Sequence, residues 1–388
     1  MDRLVEIHFR AFPDPRGEEA RRRRFLANPL GALSDAWVVE DGGVVVAHAF
    51  ALPLRIGFGG RAVAATGIAS VGVAPEARGR GLATALVERL HRVAADRGDA
   101  ICLLYPFRDG FYSRLGYGKV RPYRRLRVAP SAVPAAWRGG DAVRAATAGD
   151  RLAIEAAYGR SVERRTGAIV RPREAWAERF VDPTLAFVVA TRGESVVGYL
   201  SFELAQSEPH ADVTARVDDL VADDSGAMRA LWGRLGALRD QVKVVEIDVA
   251  DDDTLPFVLV DPDRHTAGGD VVEHPLGVVA AGPMVRLVDA ARALSARGYT
   301  ADGAVGLKLP GADPVTLVVA DGAARVEPRA ADDAVTFDDA ATLASVAYGG
   351  LAATAAERLG LVRATTTRAL EAADRIFALP PYLSRDPF

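Results

Sequence analysis

An apolar strand joined to a helix by a short glycine-bearing loop, over residues 70–84, constrains this chain more than any other feature of its sequence. Gly79 and Gly81 let the backbone approach a ligand closely, and the helix that begins near Leu82 presents unpaired N–H groups to the loop. Apolar residues then recur at helical spacing until Gly98 ends the helix. The junction therefore predicts an anion site that suits a pyrophosphate.

The loop differs from the two common nucleotide-binding loops. It lacks the Lys-Ser/Thr pair that closes a P-loop, and it has no Gly-x-Gly-x-x-Gly followed by an acidic residue about twenty positions later. The NTPase and Rossmann hypotheses thus lose their main support. The run Arg78-Gly79-Arg80-Gly81-Leu82-Ala83 instead resembles the acetyl-CoA loop of the GNAT acyltransferases, Arg/Gln-x-x-Gly-x-Gly/Ala after an apolar strand.

A second signal follows about thirty residues later. The apolar run that starts at Ile101 predicts the next buried parallel strand. Phe111-Tyr112-Ser113-Arg114-Leu115-Gly116-Tyr117 then resembles the Phe-Tyr-x-x-x-Gly-Phe/Tyr turn of GNAT enzymes, where the first tyrosine commonly lies beside the CoA sulfur. The two signals in this order reinforce each other and imply acetyl-CoA as the cosubstrate.

Composition narrows the class of protein. A chain of 388 residues is too long for one GNAT domain, so two or three domains are expected, and 49% hydrophobic with 26% charged residues is typical of a soluble globular protein. A net charge of −3 argues against nucleic-acid binding, and the run Arg21–Arg24 is interpreted as the solvated face of a helix.

Metal and membrane sites are not indicated. Cys102 is the only cysteine, which excludes an intrachain disulfide and a cysteine-rich zinc site, and the six histidines show no ligand spacing. No apolar run approaches the ~20 residues that a membrane-spanning helix needs, and no signal sequence is recognisable. We therefore expect a cytoplasmic protein that needs no metal.

The order of predicted elements divides the chain into three parts. Residues 1–135 have the mixed α/β order of a GNAT domain, residues 136–281 repeat it, and residues 282–388 form a separate α+β unit that opens with a predicted helix from Met284 to Gly298. In the second unit, Asp223 and Asp224 stand where the first has its glycine loop and would repel a pyrophosphate. We therefore expect one CoA site in each chain.

Two GNAT-like units, the second degenerate, and a third unit that ends in an aromatic residue resemble the Eis (enhanced intracellular survival) family over essentially the whole chain. The resemblance implies an α/β (α+β) fold whose C-terminal domain is similar to sterol carrier proteins. It also implies acetyl transfer to amines, including aminoglycosides, and assembly as a homohexamer.

The resemblance assigns roles to particular residues. Backbone N–H groups of the Val71–Val73 strand would hold the thioester carbonyl, Tyr112 would be the general acid, and the α-carboxylate of Phe388 would be the general base. Asp14 would face the amine. The predicted cofactor-binding residues are Val71, Gly72, Val73, Arg78, Gly79, Arg80, Gly81, Leu82, Ala83, Thr84, Phe107 and Arg108.

These roles suit the chemistry. An amine that attacks a thioester must lose a proton, which a carboxylate can accept, and the departing thiolate must gain one. For the terminal carboxylate to act, the tail must reach back to the first unit, and its two prolines, Pro380 and Pro381, favour this by stiffening it.

Two questions stay open at this level. Pro387 stands where the best-known member of the family carries an acid that helps attract polycationic substrates; Asp386 could substitute, although Arg385 beside it would oppose this. The alternative from another class is a non-enzymatic protein that senses CoA or carries an apolar ligand in its C-terminal domain.

Overall fold

The computed structural model describes residues 1–13, 17–138, 143–208, 210–262, 265–266, 272–273, 275–309 and 311–388. Most of its strands lie in three large sheets of six, seven and five strands, and a small two-stranded sheet accompanies them. Helices cover these sheets, so the architecture is mixed α/β throughout. Within this part of the chain, no helix is long and apolar enough to cross a membrane.

The first unit places its long strands and one long helix around the predicted glycine loop. Its opening helix buries Leu4, Val5 and Ile7, and the helix after the loop ends at Gly98, as its apolar spacing predicts. The elements are α1 (Asp2–Ala11), α2 (Glu18–Leu26), β1 (Ala36–Asp41), β2 (Val44–Phe58), β3 (Arg61–Val73), α3 (Leu82–Arg97), β4 (Ile101–Leu104), α4 (Asp109–Ser113) and β5 (Gly118–Lys119).

The central unit follows the same order of helices and strands. Its elements are β6 (Tyr123–Val128), β7 (Val143–Ala145), α5 (Arg151–Glu163), α6 (Arg173–Val181), β8 (Leu185–Arg192), β9 (Ser195–Ala205), β10 (Thr214–Ala222), α7 (Ser225–Gly236), β11 (Val244–Ala250), β12 (His265–Thr266), β13 (Val272–Glu273), β14 (Gly277–Ala280) and β15 (Met284–Leu287).

The C-terminal domain has a five-stranded sheet in the order β18-β17-β16-β19-β20, with helices packed against it. Asp289, Asp339 and Thr366 cap three of these helices through their side-chain oxygens. The elements are α8 (Ala290–Ala296), β16 (Gly303–Lys308), β17 (Val315–Ala320), β18 (Ala323–Glu327), β19 (Ala334–Phe337), α9 (Ala340–Ala347), α10 (Ala353–Arg358), β20 (Val362–Ala364) and α11 (Thr367–Phe377).

The first two units exchange strands. The six-stranded sheet has the order β1-β2-β3-β4-β15-β5, and the seven-stranded sheet has the order β14-β6-β11-β10-β9-β8-β7. Strand β6 precedes the boundary predicted at residue 135 yet belongs to the central sheet, and β15 follows the boundary predicted at 281 yet belongs to the first sheet. Those two boundaries remain predictions, and the exchange ties the units together on both sides.

The helix predicted from Met284 to Gly298 is wrong over its first residues. Met284 and Val285 pair with Leu104 and Leu103 in antiparallel strands, and the helix begins only at Ala290. A short apolar run fits a helix and a buried strand equally well, and the long-range pairing with β4 decides between them here.

The first unit and the C-terminal domain share one core. The ring of Phe58 at the end of β2 lies 4.7 Å from that of Tyr348, which follows α9. The side chain of Arg297 is completely buried between them, over the rings of Phe58 and Tyr299, and donates hydrogen bonds to the carbonyl oxygens of Ala347 and Ala378. These contacts fix the C-terminal domain, and the tail that leaves it, against the first unit.

Candidate active site

Strands β3 and β4 form a wedge in the first sheet. Their parallel pairing runs from Ala65 with Ile101 to Gly67 with Leu103; β4 ends one residue later, whereas β3 continues to Val73. Beyond Gly67 the two strands no longer pair, and we call this gap in the pairing the first wedge. Val71–Val73 lie on its β3 side, where β4 no longer supplies hydrogen-bond partners.

A bulge in β3 adjoins this gap. Between the pairs His48–Gly72 and Phe50–Ala69, β3 contains one more residue than β2, and Ser70 has the left-handed φ of 53°. Such a conformation is rare for a residue with a side chain and is concentrated at functional sites. The sequence analysis did not identify Ser70, because a lone polar residue in an apolar strand gives no local signal of a bulge.

The glycine loop is shaped as the sequence predicts. Gly79 and Gly81 have φ angles of 77° and 75°, and a side chain at either position would meet no atom within 4 Å. Gly81 is the N-cap of α3, and no side chain caps that helix. A cavity of about 220 Å³ lies there, lined by Val73, Ala77, Arg78, Gly79, Gly81, Leu82, Ala83, Thr84 and Phe111. Open N–H groups and a cavity together suit an anion.

The two arginines of the loop are held differently. Arg78 donates through Nε to the carbonyl oxygen of Val73 at 3.4 Å, which keeps its side chain beside the wedge. Arg80 forms an ion pair with Asp41 at 2.8 Å, and both side chains are about half exposed. Because the Arg80 pair is exposed, its net contribution to stability is small, and the arginine is available to an incoming phosphate.

Three aromatic side chains surround the predicted catalytic tyrosine. The ring of Tyr112 lies 5.6 Å from that of Phe107, 4.9 Å from Phe111 and 5.8 Å from Tyr117. Burial of Tyr112 raises its pKa to about 12, so the hydroxyl keeps its proton at neutral pH. Phe107 and Arg108, predicted to line the cofactor, are both exposed at the start of α4.

The C-terminal tail ends at the first wedge. A ring carbon of Phe388 would lie 2.9 Å from a side chain at Gly67, and its ring centroid is 5.3 Å from that of Tyr105. Gly67 belongs to the last pair before β3 and β4 part. The two predicted catalytic residues pack in different apolar clusters, Tyr112 with Cys102 and Leu104, and Phe388 against the cluster that contains Leu103.

A larger cavity of about 860 Å³ adjoins Phe388. It is lined by Ala20, Arg21, Arg23, Arg24, Ala27, Asn28, Pro29, Glu174, Ala177, Glu178, Pro387 and Phe388. The arginine run of α2, interpreted from sequence as a solvated helix face, thus contributes three side chains to this cavity, and Arg24 pairs with Glu178 at 3.6 Å. Asp14 lies outside the described residues, and its role remains a prediction.

The corresponding helix of the central unit, α7, is capped at its N-terminus by a side chain. Asp224 accepts hydrogen bonds from the N–H groups of Gly226 and Ala227 at 2.8 and 3.0 Å, and it pairs with Arg192. Asp223 is neutralised by Arg160. The prediction that these aspartates act by repulsion needs correction, because Asp224 occupies the anion position directly.

The central sheet also has a wedge, and the tail fills it. Strands β10 and β11 pair in parallel from Thr214 with Val244 to Val217 with Ile247. We call the gap beyond Val217 the central wedge. Arg385 donates to the carbonyl oxygen of Asp248 at 2.7 Å, on the β11 side of this gap, and lies 3.5 Å from that of Leu220 on the β10 side.

Asp386 does not face solvent as an acid that could attract cations. It is only 7% exposed and accepts hydrogen bonds from Tyr158, Arg171 and Arg179, each at 2.8 Å. The suggestion that it substitutes for the acid missing at Pro387 is therefore not supported, because two arginines already neutralise it. Sequence reasoning missed Arg171 and Arg179, which carry no motif.

Comparisons with known proteins agree with this geometry. Residues 1–120 and 167–287 each match a family described as Acetyltransferase (GNAT) domain, and residues 290–384 match the Sterol carrier protein domain family. N-acetyltransferase Eis of Mycobacterium bovis is 29% identical over 400 residues, which cover 97% of this chain and 93% of that protein. The chain therefore contains two GNAT acetyltransferase domains and a sterol carrier protein domain, and along nearly its whole length it is similar to N-acetyltransferase Eis. An uncharacterized N-acetyltransferase of Streptomyces avermitilis is also 29% identical, over 92% of this chain and 88% of its own length.

Solved structures of other N-acetyltransferases share the overall fold. A GCN5-related N-acetyltransferase from Kribbella flavida superposes with a TM-score of 0.79 at 26% identity, covering 100% of this chain and 95% of that one. Eis1 from Mycobacterium abscessus gives 0.77 at 25% identity, covering 100% and 97%. A GCN5-related N-acetyltransferase from Anabaena variabilis, 21% identical with a TM-score of 0.84 and coverage of 100% and 97%, shares the fold.

These matches confirm the predicted fold class and the predicted enzyme class, an acyltransferase. The non-enzymatic alternative is therefore wrong for the chain as a whole. GNAT acetyltransferases use acetyl-CoA as cosubstrate, and the open loop of the first unit suits it. Among the residues that the structure describes, no group of three or more histidine, cysteine, aspartate or glutamate side chains is placed to hold a metal ion.

Proposed function

We propose that this enzyme transfers the acetyl group of acetyl-CoA directly to a primary amine of a polyamine-like or aminoglycoside acceptor. Tyr112 is the general acid and the α-carboxylate of Phe388 is the general base. The observation that supports this most is the position of Phe388, whose ring packs on Gly67 where the first wedge opens.

The cofactor is proposed to follow the surfaces described above. Its pyrophosphate would lie on the open N-terminus of α3, where N–H groups and the helix dipole favour an anion. The pantetheine arm would enter the first wedge, so that backbone N–H groups of Val71–Val73 hold the thioester oxygen as charge develops on it. Phe107 and Arg108 would border the arm at the edge of α4.

The proposed chemistry moves two protons. The amine nitrogen bonds to the carbonyl carbon and gives its proton to the Phe388 carboxylate, and the carbon–sulfur bond then breaks. Tyr112 donates its proton to the departing sulfur and regains one through solvent. Its raised pKa of about 12 keeps the hydroxyl available as a donor throughout the physiological range.

The acceptor is proposed to enter through the cavity beside Phe388. Glu174 and Glu178 supply negative charge to that cavity, whereas Arg21 and Arg23 oppose a polycation. Asp14 is proposed to face the amine as well. The homohexamer implied by family resemblance also remains a proposal, and light scattering on the purified full chain tests it.

Thiol release from acetyl-CoA with a panel of polyamines and aminoglycosides tests the proposal. We expect Tyr112→Phe to lower kcat about 100-fold with little change in KM for acetyl-CoA, because only transition-state proton transfer is removed. Tyr299→Phe is the matched control, since Tyr299 is also a buried tyrosine with a pKa of about 12 but lies in the C-terminal domain.

Deletion of Phe388 tests the base separately. We expect kcat to fall by about two orders of magnitude near neutral pH and to recover at higher pH, as the amine loses its proton to solvent. Equal activity after the deletion would remove the base role and leave the transferase. Binding of acetyl-CoA without turnover of any amine would contradict the proposed reaction.

A further inference from the structure

We propose that the central GNAT-like unit uses its own wedge to bind the C-terminal tail, and that Arg171, Arg179 and Asp386 thereby position the terminal carboxylate. The docking site itself is independent of the function proposed above. Its catalytic consequence rests on the proposed role of Phe388, and the experiment below separates the two.

The central wedge is built like the first. In each sheet a pair of parallel strands parts after a few residue pairs, and the earlier strand carries an extra residue just beyond the parting point, Ser70 in β3 and Asp218 in β10. In a GNAT unit that binds cofactor, this gap must stay open. In the central unit the Arg385 guanidinium enters it and bonds the β11 carbonyl of Asp248 through both Nε and Nη2, at 3.1 and 2.7 Å.

A buried ionic cluster holds the next residue. The Asp386 carboxylate accepts hydrogen bonds from Nε of Arg171, Nη2 of Arg179 and the hydroxyl of Tyr158. The Arg171 side chain is fully buried and also makes two hydrogen bonds to Asp219, a residue of β10. Asp386 is thus joined through one guanidinium to the strand that forms the central wedge. Buried, hydrogen-bonded charges of this kind specify geometry more than they add stability.

Further contacts align the tail before it reaches this cluster. The N–H of Leu383 donates to the carbonyl oxygen of Thr166 at 2.9 Å, and Tyr382 forms a bridge with Thr166. Tyr382 is only 3% exposed. The segment that follows α5 therefore forms one wall along which the tail runs.

The two wedges are entered by neighbouring residues of one tail. Arg385 lies in the central wedge and Phe388 packs at the first, so the chain between them spans roughly 10 Å at most. Pro387 restricts this short link further. With Asp386 fixed by three donors, the Phe388 carboxylate has little freedom, which is what a base acting on a bound amine requires.

Asp386→Asn in the full chain tests this positioning. The variant leaves Arg171 paired with Asp219 and Arg179 near Asp218, so no arginine loses every partner. We expect faster hydrogen–deuterium exchange in the peptide covering 382–388 and a fall in kcat of about 10- to 100-fold, with KM for acetyl-CoA nearly unchanged. Asp338→Asn, which removes an exposed ion pair with Arg363 in the C-terminal sheet, is the matched control and should change neither.

Arg179→Gln and Arg179→Lys give a second series that leaves the buried Arg171–Asp219 pair intact. Gln should loosen the tail and lower kcat, and Lys should restore part of both, because the charge is kept. Faster exchange with unchanged kcat would support the docking site and refute the proposed base role of Phe388. Unchanged exchange in Asp386→Asn and Arg179→Gln would overturn the docking site, whatever the activity.

Discussion

The two GNAT units of this chain have the same wedge and the same helix after it, yet their helix N-termini differ in one decisive respect. The first helix begins at Gly81, with a cavity in front of it and no side-chain cap. The central helix has Asp224 as its N-cap, and the carboxylate of Asp224 accepts hydrogen bonds from the N–H groups that a phosphate would need. One N-terminus is left for a ligand, and the other is satisfied within the chain.

The wedges differ in the same sense. At the last parallel pair the first unit has Gly67, which leaves room for the ring of Phe388, and the central unit has Val217. Beyond that pair, the central gap holds Arg385. The same fold can therefore leave this gap to a cofactor in the first unit and fill it with a peptide segment in the central unit. Backbone groups beyond the last parallel pair need hydrogen-bond partners, and either a ligand or the tail can supply them.

The largest effect is expected from placing an aspartate at the N-cap of α3, as α7 has at its own N-cap. Gly81→Asp places a carboxylate where the pyrophosphate should lie, so we expect acetyl-CoA affinity to fall on the order of 1,000-fold, about 4 kcal/mol. Gly98→Asp is the matched control, because Gly98 caps the other end of α3 with a φ of 76° and equally open space. Equal affinity in both variants by calorimetry would show that the loop is not the anion site.

Acid should destabilise the first unit through a buried histidine. His48 is fully buried, and burial lowers its pKa to about 4, from about 6.5 when unfolded. Because the folded pKa is the lower one, the unfolded chain binds the extra proton, and stability is lost as pH falls from about 6.5 to 4. This amounts to about 3 kcal/mol.

His48→Leu should remove that part of the pH dependence, as measured by urea unfolding at pH 7 and pH 4. The central sheet offers the contrast. Burial raises the pKa of Asp219, but the charge and hydrogen bonds of Arg171, together with the charges of Arg179 and Arg385, outweigh burial and lower that pKa to about 2. If the variant lost as much stability on acidification as the parent, the acid sensitivity would not arise at His48.

Closing the first wedge should cost activity. Gly67→Ala places a methyl group about 2.6 Å from Leu54 and 2.9 Å from Phe388, so the tail must shift. We expect kcat to fall about tenfold and stability by about 1–3 kcal/mol. Gly306→Ala in β16 meets Ala334 at 2.8 Å and gives a similar crowding without touching the tail. A fall in kcat of the same size in that control would break the link to Phe388.

The smallest effect is expected from opening the central helix. Asp224→Ala removes the cap of α7 and should cost about 1 kcal/mol, as Asp339→Ala should in the C-terminal domain. The number of acetyl-CoA molecules bound per chain should stay at one, because Arg385 still fills the central wedge. A second bound molecule in calorimetric titration would show that the cap alone silences the central unit.

Local sequence predicted much of the fold. Helix α3 begins near Leu82 and ends before Gly98, as the sequence predicts. The glycine loop could be predicted because the end of an apolar strand, the glycines and the start of an amphipathic helix all lie within fifteen consecutive residues. Strands β6 and β15 could not be placed, because their partners lie more than a hundred residues away and their own apolar patterns suit either sheet.

The sequence by itself determined the glycine loop, the tyrosine motif and the difference between the two helix N-termini, since each depends on neighbours in the chain. Only the tertiary structure decided where the tail runs and what Asp386 contacts. Its partners Arg171 and Arg179 lie more than two hundred residues earlier, and a buried ion pair has no local pattern. Residues that matter for backbone conformation, such as glycine, can be recognised from the sequence. Residues that form ion pairs with partners distant in sequence can be recognised only in the folded structure.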